Sequence, residues 1–186
     1  MNTPRHKIIL KKETTALLIV DIQERIVKVM RNHKSLVESV LKLIKGAKTL
    51  NLKVFYTEQY PKGLGSTLPI IKNELQDEAI QKLSFSCSGA ENLFEELKRN
   101  NIKQVIVCGI ESHVCVQQTV LDLLSNSFQV NVPADGVSSR KEIDYNTALS
   151  RMGKHGAEIT TVESILFELL EVCGTPEFKE ISKIIK

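Results

Sequence analysis

Apolar, β-branched runs return along this chain at 15–21 (TALLIVD), 52–57 (LKVFYT), 103–109 (KQVIVCG), 127–132 (SFQVNV) and 157–161 (AEITT). Between them lie segments with helical spacing at 35–50, 90–100, 113–126 and 141–156. The runs are apolar at consecutive positions, as in strands buried on both faces, and their steady alternation with helices requires a parallel sheet covered on both sides. The fold class read from this pattern is a doubly wound α/β domain. Helix signals accompany it: Ser88 with Glu91 and Ser139 with Glu142 match the S-x-x-E capping box, and Asn100–Asn101 and Gly156 supply stops.

The segment 60–88 fits least well. YPKGLGSTLP is rich in Pro and Gly, and IQKLSFSCSG has no clean period. It reads as a long loop followed by a short strand at 82–85. Long loops at the ends of parallel strands are where α/β proteins build ligand sites.

A chain of 186 residues suits one domain, here 1–186, with no internal repeat or low-complexity tract. The formal charge of +3 comes from scattered lysines, so neither nucleic acid nor a membrane surface is expected as a partner. No apolar run approaches the ~18 residues of a membrane span, and the first fourteen residues hold only IIL, too little for a signal-peptide core. The expected location is cytoplasmic. Cys87, Cys108, Cys115 and Cys173 are far apart and form no CxxC pair, which points to free thiols. His6, His33, His113 and His155 are dispersed, so no metal site is expected. The absence of GxGxxG after any strand argues against dinucleotide binding.

All strands of a parallel sheet point their carboxyl ends the same way, so residues ending different strands converge. Asp21 ends the first strand, Lys82 lies in KLSF, and Cys115 follows the strand before CGIESH, near the first turn of a helix. Unpaired N–H groups and the helix dipole favour negative charge there, the address of a reactive thiolate. An acid, an amine and a thiol together supply a base for the thiol proton, a cation for the thiolate and a nucleophile.

The blocks LLIVDIQERI, KLSFS and VIVCGIESHVCVQQTVLDLL resemble the three motifs of the isochorismatase-like cysteine hydrolases. YTEQYPKGLGSTLP, ADGVSSRKEIDYNTALSRM and the stretch from TTVESILFELL to the C-terminus extend the resemblance over nearly the whole chain, toward the isochorismatase domain-containing subgroup. The resemblance implies a six-stranded parallel sheet with helices on both faces and a catalytic triad of Asp21, Lys82 and Cys115. It also implies a cis peptide bond between Ile110 and Glu111, and an oxyanion hole made by the backbone N–H groups of Glu111 and Cys115. Nicotinamidase-type relatives carry histidine metal ligands where this chain has YTEQYP, so the resemblance implies neither metal nor other cofactor. Retention of Cys115, which true isochorismatases lack, implies acyl chemistry on a small amide, imide or related C–N substrate.

Four further residues are candidate substrate contacts: Gln23, Glu58, Ser112 and His113. Gln23 either touches substrate or fixes the Asp21 carboxylate. Two residues from Cys115 at a helix start, His113 diverges from the thiol and suits a capping or rim role. Glu58, Gln59 and Tyr60 read as rim contacts, and Cys87, Cys108 and Cys173 as packing. The expected function is a cysteine-dependent hydrolase of C–N bonds other than peptide bonds, with a covalent thioester. The alternative is a non-catalytic or thiol-sensing oligomeric protein keeping the fold. A homo-oligomer is expected because ILFELLEVCG and FKEISKIIK carry more apolar positions than one sheet-facing stripe needs.

Overall fold

The computed structural model describes residues 5–186, so the first four residues of the N-terminal stretch read above lie outside the described residues. The elements in chain order are β1 (Thr15–Val20), α1 (Glu24–Val27), α2 (His33–Thr49), β2 (Lys53–Gln59), α3 (Pro61–Leu64), α4 (Pro69–Lys72), β3 (Ile80–Lys82) and α5 (Leu93–Arg99). They continue with β4 (Gln104–Ile110), α6 (Gln117–Ser125), β5 (Gln129–Pro133), β6 (Val137–Ser138), α7 (Glu142–Lys154), β7 (Glu158–Thr160), α8 (Val162–Leu170) and α9 (Pro176–Ile185).

The sheet is parallel throughout, in the order β3-β2-β1-β4-β5-β7. These six strands are those the sequence implied. The two-residue β6 is additional: β5 leaves β4 after Ile106, and β6 pairs with the freed Gly109 and Ile110. Side chains alternate across the strands. Leu17 and Ile19 of β1, with Ile106, Cys108 and Ile110 of β4, join one core with α2, α8 and α9, whereas Ala16, Leu18, Val105 and Val107 join a second core with α5, α6 and α7. The apolar stripe of α2, Leu36, Val40, Leu43, Ile44 and Ala47, is buried at the 3.6-residue spacing.

Several local readings need correction. Neither capping box forms. Helix α5 starts at Leu93 after a left-handed Asn92, and Ser88 instead donates its Oγ to Asp122. Helix α7 starts at Glu142 without a side-chain cap, while Ser139 is buried beside His113. In both places a long-range partner outcompetes the local backbone for the hydroxyl. The strand sought at 82–85 is β3, ending at Lys82, because the register pairs Gln59 with Lys82 and the chain then turns away. The Pro-rich loop holds two one-turn helices, α3 and α4, each started by a proline at its first position. Most of the extra apolar residues of α8 and α9 are used within the chain, although Phe167 of α8 and Val172 just after it remain exposed. Ile165, Leu166, Leu169 and Ile181 are buried in the chain's own core, and Phe178, Ile184 and Ile185 pack against it. Among the described residues no helix is long and apolar enough to cross a membrane.

Candidate active site at the carboxyl ends of the strands

Strand β1 lies between β2 and β4, and the chain leaves it toward one side and later returns on the other. Such a reversal opens a crevice at the carboxyl ends of the strands. Asp21 follows β1 there with φ +54°, a left-handed conformation that Asp tolerates better than most residues. Gly109 in β4 lies beside Val20, and a Cβ at Gly109 would collide with the Val20 carbonyl. Its φ of +121° also suits only glycine. This close approach to β1 lies one residue from Asp21.

The period of two on β2 puts Phe55, Thr57 and Gln59 on one face. Register then sets Gln59 beside Lys82 and Thr57 beside Val20. The Lys82 ammonium is sealed from solvent, 2.6 Å from Asp21 Oδ2 and 2.8 Å from Gln59 Oε1. It also donates to the carbonyls of Ser84 at 3.2 Å and Phe85 at 3.0 Å. Three N–H bonds thus face four acceptors, and none is left for another group. Thr57 Oγ1 donates to the other Asp21 oxygen, Oδ1, at 2.8 Å.

Between β4 and α6 the chain forms a π turn, Ser112–Val116, opened by hydrogen bonds from Val114 and Val116 N–H to the Glu111 carbonyl. Turns of this type concentrate at functional sites. Cys115 sits in it, nearly buried, in the same core as Cys87 and Val116. Burial pushes its thiol up to about 12 and the Asp21 charge adds to this. The Lys82 charge offsets part of it, and hydrogen bonding to Asp21 and the nearby Cys87 raise it again. The resting sulfur is therefore a neutral thiol. The Lys82 ammonium makes its hydrogen bonds to Asp21, Gln59 and the loop carbonyls and acts on the thiol through its charge. The peptide bond between Ile110 and Glu111 is cis.

The structure brings Asp21, Lys82 and Cys115 together and disperses the remaining candidates. Gln23 is fully buried and binds the backbone of Gln59 on both sides, with a further bond to the Gly65 carbonyl. Its side chain thus pins the loop and makes no bond to the Asp21 carboxylate, while its backbone N–H donates to the Asp21 carbonyl at 2.8 Å. Glu58 accepts from the N–H and hydroxyl of Thr67, which keeps its carboxylate on the loop. The Oγ of Ser112 is buried and has no hydrogen-bond partner among the described residues. His113 pairs Nδ1 with Ser139 Oγ at 3.0 Å and turns Nε2 toward Asp144 at 3.9 Å, facing α7. The side chain of Glu111 binds Arg140 at 3.0 Å. Tyr60 is half exposed at the rim, whereas Gln59, read as a rim contact, clamps Lys82 from inside.

Two site residues escaped the sequence reading. Thr57 binds Asp21 directly, and its only signal was an inward polar position at the end of an apolar strand. Cys87 lies 3.8 Å from Thr57 Oγ1 and within the field of Asp21 and Lys82, so it is more than packing. Cys108, inside β4, is raised by burial alone. Among the described residues no cluster of three or more His, Cys, Asp or Glu could hold a metal ion.

The Isochorismatase domain matches residues 15–164. The mouse isochorismatase domain-containing protein 2A is 38% identical over 176 residues, covering 94% of this chain and 84% of that protein. The structure of MAR1 ribonuclease from Caenorhabditis elegans superposes with TM-score 0.89 at 35% identity, over 95% of this chain and 91% of that one. The YcaC gene product of Escherichia coli, described as an octameric hydrolase of unknown specificity, gives TM-score 0.85 at 26% identity over 91% and 85% of the two chains.

Proposed function

This chain belongs to the isochorismatase family, and from that premise we propose that it is a cysteine-dependent hydrolase of small amides, imides or related C–N substrates. The observation that carries the reading is the buried Lys82–Asp21 pair with a nearly buried thiol in its field. Cys115 Sγ attacks the substrate carbonyl while its proton passes to Asp21, the arrangement of a base beside a nucleophile. Lys82 holds the carboxylate in place and supplies the positive charge that offsets the developing thiolate. The oxyanion is received by the backbone N–H groups of Glu111 and Cys115. Asp21 then returns its proton to the departing amine, leaving a thioester on Cys115. Water attacks the thioester with Asp21 as base a second time, and the thiol is restored.

A phosphodiester substrate, suggested by the name of the worm structure, fits less well. The side chains of Asp21, Lys82 and Cys115 are buried, and His113, the nearest imidazole in sequence, is turned to Ser139 and Asp144. That suits a small acyl group better than a polymer. The reading extends to a homo-oligomer, supported by the apolar side chains of Leu83 and Phe85, 77% and 55% exposed directly after Lys82.

The test is a screen of small amides with ammonia release as readout, run beside Cys115→Ala and with RNA as a comparison substrate. Turnover of an amide by the native protein and none by the variant supports the reading. Turnover by both, or cleavage of RNA alone, overturns it. No turnover of any kind, with Cys115 inert to acyl donors, favours a thiol-sensing or non-catalytic role.

A further inference from the structure

Asp21 must offer a lone pair to the Cys115 proton, yet a lone carboxylate beside an ammonium would rotate until both oxygens met the cation. What prevents this is on the neighbouring strand. Lys82 takes Oδ2 at 2.6 Å and Thr57 takes Oδ1 at 2.8 Å from a different direction, which fixes the carboxylate plane. The proton count around Thr57 is closed. An ionised Asp21 only accepts, so the single hydroxyl proton of Thr57 goes to it. The 3.8 Å contact with Cys87 must then run the other way, from the Cys87 S–H to Thr57 Oγ1. Burial, first, and the Asp21 charge push Cys87 up to about 11, which keeps that proton in place at neutral pH. Cys87 is itself anchored, its N–H donating to Thr119 Oγ1 at 2.9 Å, and Thr119 stands one helical turn beyond Cys115. A hydrogen-bond chain therefore runs from Cys87 through Thr57 to Asp21, tied to the segment that carries the nucleophile.

We infer that Thr57 is a positioning residue for Asp21: its hydroxyl, oriented by the Cys87 thiol, holds the carboxylate aimed at Cys115. The inference rests on the hydrolase reading above. A valine at position 57 keeps shape and β-branching but has no donor, and a serine keeps the donor.

The probe is p-nitrophenyl acetate. The thiol attacks the ester carbonyl, its proton goes to Asp21, the C–O bond breaks and p-nitrophenolate leaves, with the acetyl group on Cys115. The acylation rate is measured by rapid quench and located by peptide mass in the native protein, Thr57→Val, Thr57→Ser, Asp21→Asn and the double variant Asp21→Asn/Thr57→Val. Thr57→Val should slow acylation by ~10-fold or more, within the range of a general base's contribution, and Thr57→Ser should restore it. In the Asp21→Asn background the valine should have no further effect, since the two residues act as one unit. An equal loss in both backgrounds, or a Thr57→Val rate within about two-fold of native, overturns the inference and leaves the hydrolase reading intact. No effect of Asp21→Asn, or no acylation at Cys115, overturns both.

Discussion

The Lys82 ammonium lies 2.6 Å from the Asp21 carboxylate with both side chains sealed from water, and every other bond it makes goes to the amide of Gln59 or to the carbonyls of Ser84 and Phe85. The Asp21 carboxylate is therefore paired in the protein interior with the Lys82 ammonium on one oxygen and the Thr57 hydroxyl on the other. Removing one partner of such a pair leaves an uncompensated buried charge, at a cost of about 3–5 kcal/mol. Lys82→Met should lower the denaturation midpoint accordingly, and Asp21→Asn/Lys82→Met should recover part of the loss. A single Lys82→Met variant as stable as the native protein in urea would show that the pair carries no such coupling.

Cys115→Ala should abolish amide turnover by several orders of magnitude, as expected when one member of a nucleophile–base unit is removed. A slow substrate should leave an acyl mass on the peptide containing Cys115. Mass spectrometry that finds the adduct on Cys87, Cys108 or Cys173 instead contradicts the assignment of the nucleophile.

The thiols give a pH signature. Burial raises Cys87 from 9.0 to about 11 and Cys115 from 9.0 to about 12, so in both cases the folded state holds its proton more tightly than the unfolded chain. Stability from this source is fully present below pH 9 and is lost as pH rises toward 11 and 12. Thermal midpoints should fall across that interval, and the fall should shrink in Cys87→Ala. Below pH 9 the same substitution should leave the shape of the pH dependence unchanged. Alkylation by iodoacetamide at pH 7 should favour the exposed Cys173 over the buried Cys87 and Cys108.

Gly109→Ala should destabilise the protein by about 3 kcal/mol or more, because the position combines a positive φ with a backbone collision at Val20. The effect should reach the site, since Val20 directly precedes Asp21. Gly156→Ala provides the contrast: its φ is +102° but nothing lies within 4 Å of the added Cβ, so its cost should be smaller. Chemical denaturation of the two variants measures the difference. Equal losses would show that close packing at Val20 adds nothing.

Leu83→Glu combined with Phe85→Glu should convert a homo-oligomer to smaller species without altering the urea midpoint of the isolated chain, since both side chains are mainly exposed in it. Light scattering coupled to size exclusion reads the outcome. A native monomer, or an oligomer unchanged by both charges, rules out this face as the interface.

The alternation of consecutive apolar runs with helical segments determined the parallel α/β architecture, because burial on both faces leaves a local trace in every strand. Strand-end position likewise brought Asp21, Lys82 and Cys115 together, since parallel strands share one direction. Tertiary structure alone decided how those residues are used. Whether Lys82 faces the thiol or the acid depends on the register that sets Gln59 beside it and on the turn that presents the Ser84 and Phe85 carbonyls. Thr57 and Cys87 became part of the site through contacts 36 and 30 residues apart in sequence. Ser88 and Ser139 left their local caps, and Glu58 turned to Thr67, for the same reason. A polar side chain takes the best partner that the folded chain brings within about 3 Å, and that competition among distant groups leaves no periodic signal in the sequence.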